Sequence, residues 1–220
     1  MLCLTRMKES TSKEKMLKKV RKALLEKRDN PYPHLEDTAL YESYTGYLDI
    51  LFAEQFTAAA GSFVFCENEM QFVEHLLELA HDRSWRKIYC WEPKLQELLS
   101  TYEYPFFSTD AQFVDAEVGI TLCESLIARN GSILLSNSEG AGRRLSIYPH
   151  THIVLAYTSQ LALDLKDGFK LLKAKYGDSL PTMVSCVTGP SRTADIEKTL
   201  VLGAHGPKEL LVFLVDDAFC

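Results

Sequence analysis

The chain has 220 residues, 46% hydrophobic and 25% charged, which is the composition of a folded globular protein and not of a disordered one. Its net charge of −6 hides a split: residues 1–28 hold ten Lys or Arg against three Glu, a net +7, and the remainder carries −13. No stretch reaches the ~20 apolar residues of a membrane span and residues 1–6 are too short for a secretory core, so a cytoplasmic protein without a membrane span is expected.

In chain order, the basic arm reads as a helix. Thr11 and Glu14 have capping-box spacing, and Met16, Val20, Ala23 and Leu24 share one face. Met1 and Met7 are both candidate starts. Asn30-Pro31-Tyr32-Pro33 ends the arm, which sets the expected domains as 1–33 and 34–220. The arm has no aromatic residue to stack on bases and the body is acidic, so docking on an acidic protein surface is expected rather than nucleic acid.

Beyond the arm, helical patterns at 47–60, 69–80, 93–100 and 164–176 alternate with strand patterns at 62–66, 87–91, 117–123, 132–136 and 152–157. Residues 182–187 and 210–215 are continuous apolar runs with β-branched residues, which predicts buried strands. This alternation predicts an α/β fold with a mostly parallel sheet. The six cysteines form no C-x-x-C pair, so no metal site and no intrinsic cofactor is expected, and buried thiols packed as small hydrophobes are.

Several stretches could carry chemistry. Thr188-Gly189-Pro190-Ser191-Arg192-Thr193-Ala194-Asp195-Ile196-Glu197 follows a predicted strand and reads either as an anion pocket at a helix start or as a capped turn with Arg192 paired to an acid. Gly203-Ala204-His205-Gly206-Pro207 permits close approach of a ligand, with His205 as proton donor, anion contact or turn residue. The loop Ser138-Glu139-Gly140-Ala141-Gly142-Arg143-Arg144 puts two cations together, either for an anion or for solvent. His150-Thr151-His152 has the spacing of a two-histidine pair without a clear third ligand. Glu117 and Glu124 flank one strand, as candidate nucleophile or base or as solvated strand ends.

The motif from Thr188 to Glu197 followed by Gly203 to Pro207 resembles the signature of the lactate-utilisation (LUD) domain, in the lactate utilisation protein C or YkgG family. Gly119-Ile120-Thr121, Gly142-Arg143 and Pro149 to Ile153 extend the resemblance over residues 46–217. It implies a three-layer α/β/α sandwich like that of the NagB/RpiA/CoA-transferase group. It also implies an accessory role in oxidising L-lactate to pyruvate beside iron–sulfur partner proteins, which would carry the clusters. On this reading Gly189, Ser191, Arg192, Thr193, Asp195, Gly203, His205 and Gly206 contact a small anionic or phosphate-bearing ligand, and His205 and Glu124 are the candidates for chemistry. Related folds leave two alternatives open: a stand-alone CoA-transferase-like or folate cyclo-ligase-like enzyme, and a non-catalytic sensor or scaffold. One departure stands out, because many members read Glu-Thr-Gly-Thr where this chain has Arg129-Asn130-Gly131-Ser132.

Overall fold

A computed structural model describes residues 11–26, 31, 41–109, 113–138, 140, 144–194, 200–202 and 205–217. The chain forms two units, Met1–Ser43 and Tyr44–Cys220. In the first, α1 (Ser12–Leu25) starts as the spacing predicts: the Glu14 N–H donates to Thr11 Oγ1 at 3.3 Å, and the Thr11 N–H donates to Glu14 Oε2 at 2.8 Å. None of its residues is buried. Among the described residues no helix is long and apolar enough to cross a membrane.

The second unit is built on a five-stranded parallel sheet. Its strands are β1 (Ser62–Cys66), β2 (Ile88–Cys90), β3 (Val118–Leu122), β6 (Thr151–Tyr157) and β11 (Glu209–Val215), in the order β1-β11-β6-β3-β2. The central strands are apolar on both faces, so both need cover. On one face Ile120, Ile153, Leu155 and Phe213 pack against Phe72, Val73 and Leu76 of α3 (Glu69–Asp82) and Leu95 and Leu99 of α4 (Pro93–Thr101). On the other, Val154, Ala156, Val212 and Leu214 pack against Phe52 and Phe56 of α2 (Leu48–Ala58) and against a second sheet.

That second sheet is what the sequence pattern does not show. The strands β4 (Ser125–Ile127), β5 (Ser132–Ser136), β7 (Leu161–Ala162) and β8 (Val184–Val187) lie in the order β7-β4-β5-β8, mixed in direction. Side chains alternate along β5, so Ile133 and Leu135 face the main sheet and Leu134 faces outward. The outward face is covered by α5 (Leu165–Tyr176), whose Gly168 lies against Ile127 and Leu134. The α/β architecture with a mostly parallel main sheet is as expected, with one layer made partly of strands.

Two local expectations change. Residues 182–187 were expected as a buried strand, but among the described residues β8 pairs with β5 alone, is half-buried and leaves Cys186 exposed, because it is an edge strand. The helix expected to start near Ser191 is instead a hairpin of β9 (Arg192–Ala194) and β10 (Leu200–Leu202). Cys66, Cys90 and Cys123 are buried as expected, and burial pushes the Cys66 thiol up to about 11 and that of Cys90 to about 12.

The family departure at Arg129 is absorbed locally. Its guanidinium pairs through two N–H groups with the Asp164 carboxylate at the start of α5. Gly131 next to it has φ +63°, and a Cβ there would strike the backbone at Phe56. Gly177, after α5, has φ +57° with open space around it. Gly177→Ala is therefore expected to cost on the order of 1–3 kcal/mol from backbone strain alone, because φ +57° with ψ −122° lies outside the left-handed helical well. Gly131→Ala should lower the urea midpoint clearly further, and equal shifts for the two variants would show that the α2 contact is unimportant.

Candidate functional site

In parallel α/β sheets, ligands bind outside the carboxyl ends of the strands. Here those ends carry two chain crossings between the sheets: Cys123 and Glu124 lead from β3 into β4, and residues 158–160 lead from β6 into β7. Gln160 ties the crossings together. Its Nε2 donates to the Cys123 carbonyl at 2.6 Å, and its Oε1 accepts from the Tyr157 N–H at 2.8 Å. Between the crossings, α4 and α5 lies a cleft of about 360 Å³, lined among others by Glu92, Lys94, Glu124, Ser136, Ser159 and Lys175.

Glu124 is the centre of its polar wall, with its side chain only 6% exposed. Oε1 accepts from Ser136 Oγ at 2.5 Å, Ser138 Oγ at 3.1 Å and Tyr176 OH at 2.8 Å, and Oε2 accepts from Lys175 Nζ at 3.1 Å. Burial pushes the Glu124 carboxyl up, but the hydrogen bonds from Ser136, Tyr176 and Lys175 and the Lys175 charge outweigh it and hold the carboxyl below its ordinary value. Burial pulls Lys175 down, and its contacts with Tyr176 and Glu124 more than reverse this, so it stays an ammonium. A carboxylate with four donors is fixed as a charge. It is poorly suited to act as a base near neutral pH, and well suited to position a cation. Glu92, 4% exposed, is a second acid at the cleft and accepts from the Leu122 N–H at 3.0 Å.

The structure divides the residues singled out from sequence. Glu124 and Ser138 meet in the cleft, and Gly140 lies beside Trp91 at the end of β2. The described residues of the Gly189–Gly206 motif lie at the opposite edge. Ser136 pairs with Val184 at the cleft end of β5, and Ser132 Oγ meets Thr188 Oγ1 at the other end, about 13 Å along the strand. Pro207, just before β11, accepts from the Ser191 N–H at 2.9 Å. Arg192 Nη2 donates to the Ala59 carbonyl at 2.5 Å, and a Cβ on Gly189 (φ +74°) would strike that same carbonyl. His205 is exposed and Gly206 packs beside Ser191. Thr193 sits on β9 rather than at a helix start, so the amides of a helix N-terminus are not what could hold an anion there. Asp195 and Gly203 lie outside the described residues, as do Ala141, Gly142 and Arg143.

Glu117 accepts from the N–H groups of Arg86 and Lys87 at 2.7 and 2.8 Å, closing the turn before β2. His150 is exposed whereas His152 is buried, with Nε2 2.8 Å from Thr121 Oγ1, and burial pushes its imidazole down to about 3. The pair therefore does not share one environment. Sequence reasoning missed Glu92, Lys94, Ser136, Ser159, Gln160 and Lys175. One usable signal existed: Gly177 ends α5, which places Lys175 and Tyr176 on its last turn.

The depressed Glu124 carboxyl gives a signed expectation. A group held below its unfolded value stabilises the fold above that value, and the contribution is lost as pH falls through the folded value. Glu124→Gln should thus destabilise the protein by roughly 1–3 kcal/mol at pH 7. The gap should close progressively below pH 4.5 in urea unfolding, and an equal gap at pH 7 and pH 3 would show that the carboxylate charge is not what stabilises.

Residues 107–215 match the LUD domain. The chain is 38% identical over 104 residues to "Lactate utilization protein C 1" of Bacillus mycoides, a match covering 46% of this chain and 44% of that protein. It is 29% identical over 180 residues to "Lactate utilization protein C" of Bacillus subtilis, covering 79% of this chain and 70% of that one. The matched stretch thus spans under half the length of the first of these relatives. The fold is similar to a crystal structure of a DUF162 family protein from Deinococcus radiodurans, with a TM-score of 0.53 and 18% identity over 76% of this chain and 96% of that one. Both sheet crossings and α5 fall within the matched residues, so Glu124, Gln160 and Lys175 are part of the stretch, residues 107–215, over which the chain carries a LUD domain.

Proposed function

We propose that this chain is an accessory component of an L-lactate utilisation system, acting in the cytoplasm with iron–sulfur partner proteins that carry the redox groups. In this reading its own task is to bind a small anionic ligand in the cleft at the carboxyl ends of β3 and β6. The relatives' names support the lactate half. The observation that carries the ligand half is Lys175, an ammonium held on the cleft wall by Glu124 and flanked by Ser136 and Ser138 hydroxyls. The pinned carboxylate favours binding over covalent or acid–base work by Glu124.

A second contact surface is proposed at Gly189–Gly206. Arg192 and His205 are both exposed there, on the edge of the sheet opposite the cleft. Ser191 lies beside them in this reading, and Gly189, Thr193, Asp195 and Gly203 belong to the same sequence motif.

Growth tests the first reading. Removing the protein from its native cell should abolish growth on L-lactate as sole carbon source, and growth should return with the parent chain. Lys175→Arg, which keeps the charge, should restore growth, and Lys175→Met should not, provided thermal melts show both folded. Unimpaired growth of the deletion strain would overturn the lactate reading, and full rescue by Lys175→Met would overturn the role of the cleft. Deleting residues 1–28 should leave the body folded while reducing recovery of iron–sulfur proteins in a pull-down by roughly tenfold, as loss of several charge contacts implies. Unchanged recovery would exclude the basic arm from assembly.

A further inference from the structure

The cleft has a neighbour. A second, more open cavity of about 700 Å³ lies along the same edge of the main sheet, at the ends of β1, β6 and β11. Its lining includes Glu69, Met70, Tyr102, Tyr157, Val215 and Asp217. Tyr157 lines both cavities. Ser159, in the first, donates its Oγ–H to Asp217 Oδ2 at 2.5 Å and its N–H to Asp217 Oδ1 at 2.9 Å, in the second. One side chain and one hydrogen-bonded pair therefore stand between the chambers.

Their chemistries are complementary. The first chamber offers the ammonium groups of Lys94 and Lys175, which suit a phosphate, beside Glu92, which accepts from the Leu122 N–H, and Glu124, whose charge Lys175 and three hydroxyls already compensate. The second offers two carboxylates, Glu69 and Asp217, on apolar walls of Met70, Tyr102 and Val215. Burial pushes the Asp217 carboxyl up, but the donors on Ser159 and Thr158 outweigh it and keep it ionised. The second chamber holds no ammonium among its lining residues, and its carboxylates, which already take the Tyr157, Thr158 and Ser159 donors, keep lone pairs that accept from ribose hydroxyls and an exocyclic amine, while the exposed Tyr102 ring and Met70 provide a face for a base. Each chamber falls within the ~300–1,000 Å³ range of small-ligand sites.

We propose that the two chambers form one groove for a nucleoside phosphate, with the phosphate beside Lys94 and Lys175 and the nucleoside between Tyr102, Met70 and the Glu69 and Asp217 carboxylates. This rests on the first cleft being the anion site and adds the class of ligand. Isothermal titration of the full chain with AMP, adenosine and inorganic phosphate tests it. Because joining two halves of a ligand makes the second contact intramolecular, AMP should bind at least roughly tenfold more tightly than either half.

Two variants assign the ends. Lys94 is exposed and Tyr102 is 37% exposed, so Lys94→Met and Tyr102→Ala should keep the fold, which thermal melts check. Lys94→Met should weaken AMP and phosphate but not adenosine, and Tyr102→Ala should weaken AMP and adenosine but not phosphate. Phosphate binding that depends on Lys94, with AMP binding no tighter, would overturn the joined groove and leave the anion site standing. Adenosine binding lost in Tyr102→Ala, with no phosphate binding at all, would overturn the anion site and with it the joined groove. No binding of any of the three would overturn both.

Discussion

A parallel sheet buried on both faces cannot stop at one layer of cover, and here that requirement shapes everything around it. Ile153 and Leu155 point to one side of β6, and Val154 and Ala156 to the other. The first side is closed by α3 and α4. The second is too broad for α2 alone, and the chain closes it by sending β4, β5, β7 and β8 across as a second sheet. To do so it must cross from one sheet to the other twice at the carboxyl edge, after β3 and after β6. The cleft is the space left between those crossings, so the site follows from how the core is covered.

The polar groups at the crossings are then held by one another. Gln160 bonds both crossings, and Glu124 collects three hydroxyls and an ammonium from β5, the segment after it and α5. Around a carboxylate as buried as that of Glu124 such a set is stable only when each member is satisfied, which fixes the charge pattern of the wall. The Arg129–Asp164 pair acts in the same layer, joining the turn before β5 to the start of α5. The reversed charge at Arg129 is thereby matched inside the chain, which leaves the cleft wall on α5 where it is.

The charge split between arm and body takes on a spatial meaning in this light. The net +7 of residues 1–28 belongs to a helix with no buried residue, whereas the lysines of the cleft belong to the body, which is acidic as a whole. Basic character is thus concentrated on the exposed α1, whereas in the body Lys94 and Lys175 stand singly at the cleft and Arg129 is paired within the chain.

What the sequence determined by itself is local and periodic. The Thr11 capping box, the helices around α3, α4 and α5 and the strands β1, β3, β6 and β11 all follow from spacing within one element, and the family follows from the motif around Thr188 and His205. What only the tertiary structure decided is which residues meet. Glu124 was visible as an acid after a strand, but its four donors come from positions 12 to 52 residues further on, and no local pattern encodes that meeting. The same holds in reverse for Gly189 and Arg192: their motif marks the family, yet both engage Ala59, some 130 residues earlier in the chain. Periodicity reports which face of an element is buried. The cleft depends on how two sheets pack, which is fixed by long-range contacts among side chains that look ordinary in sequence.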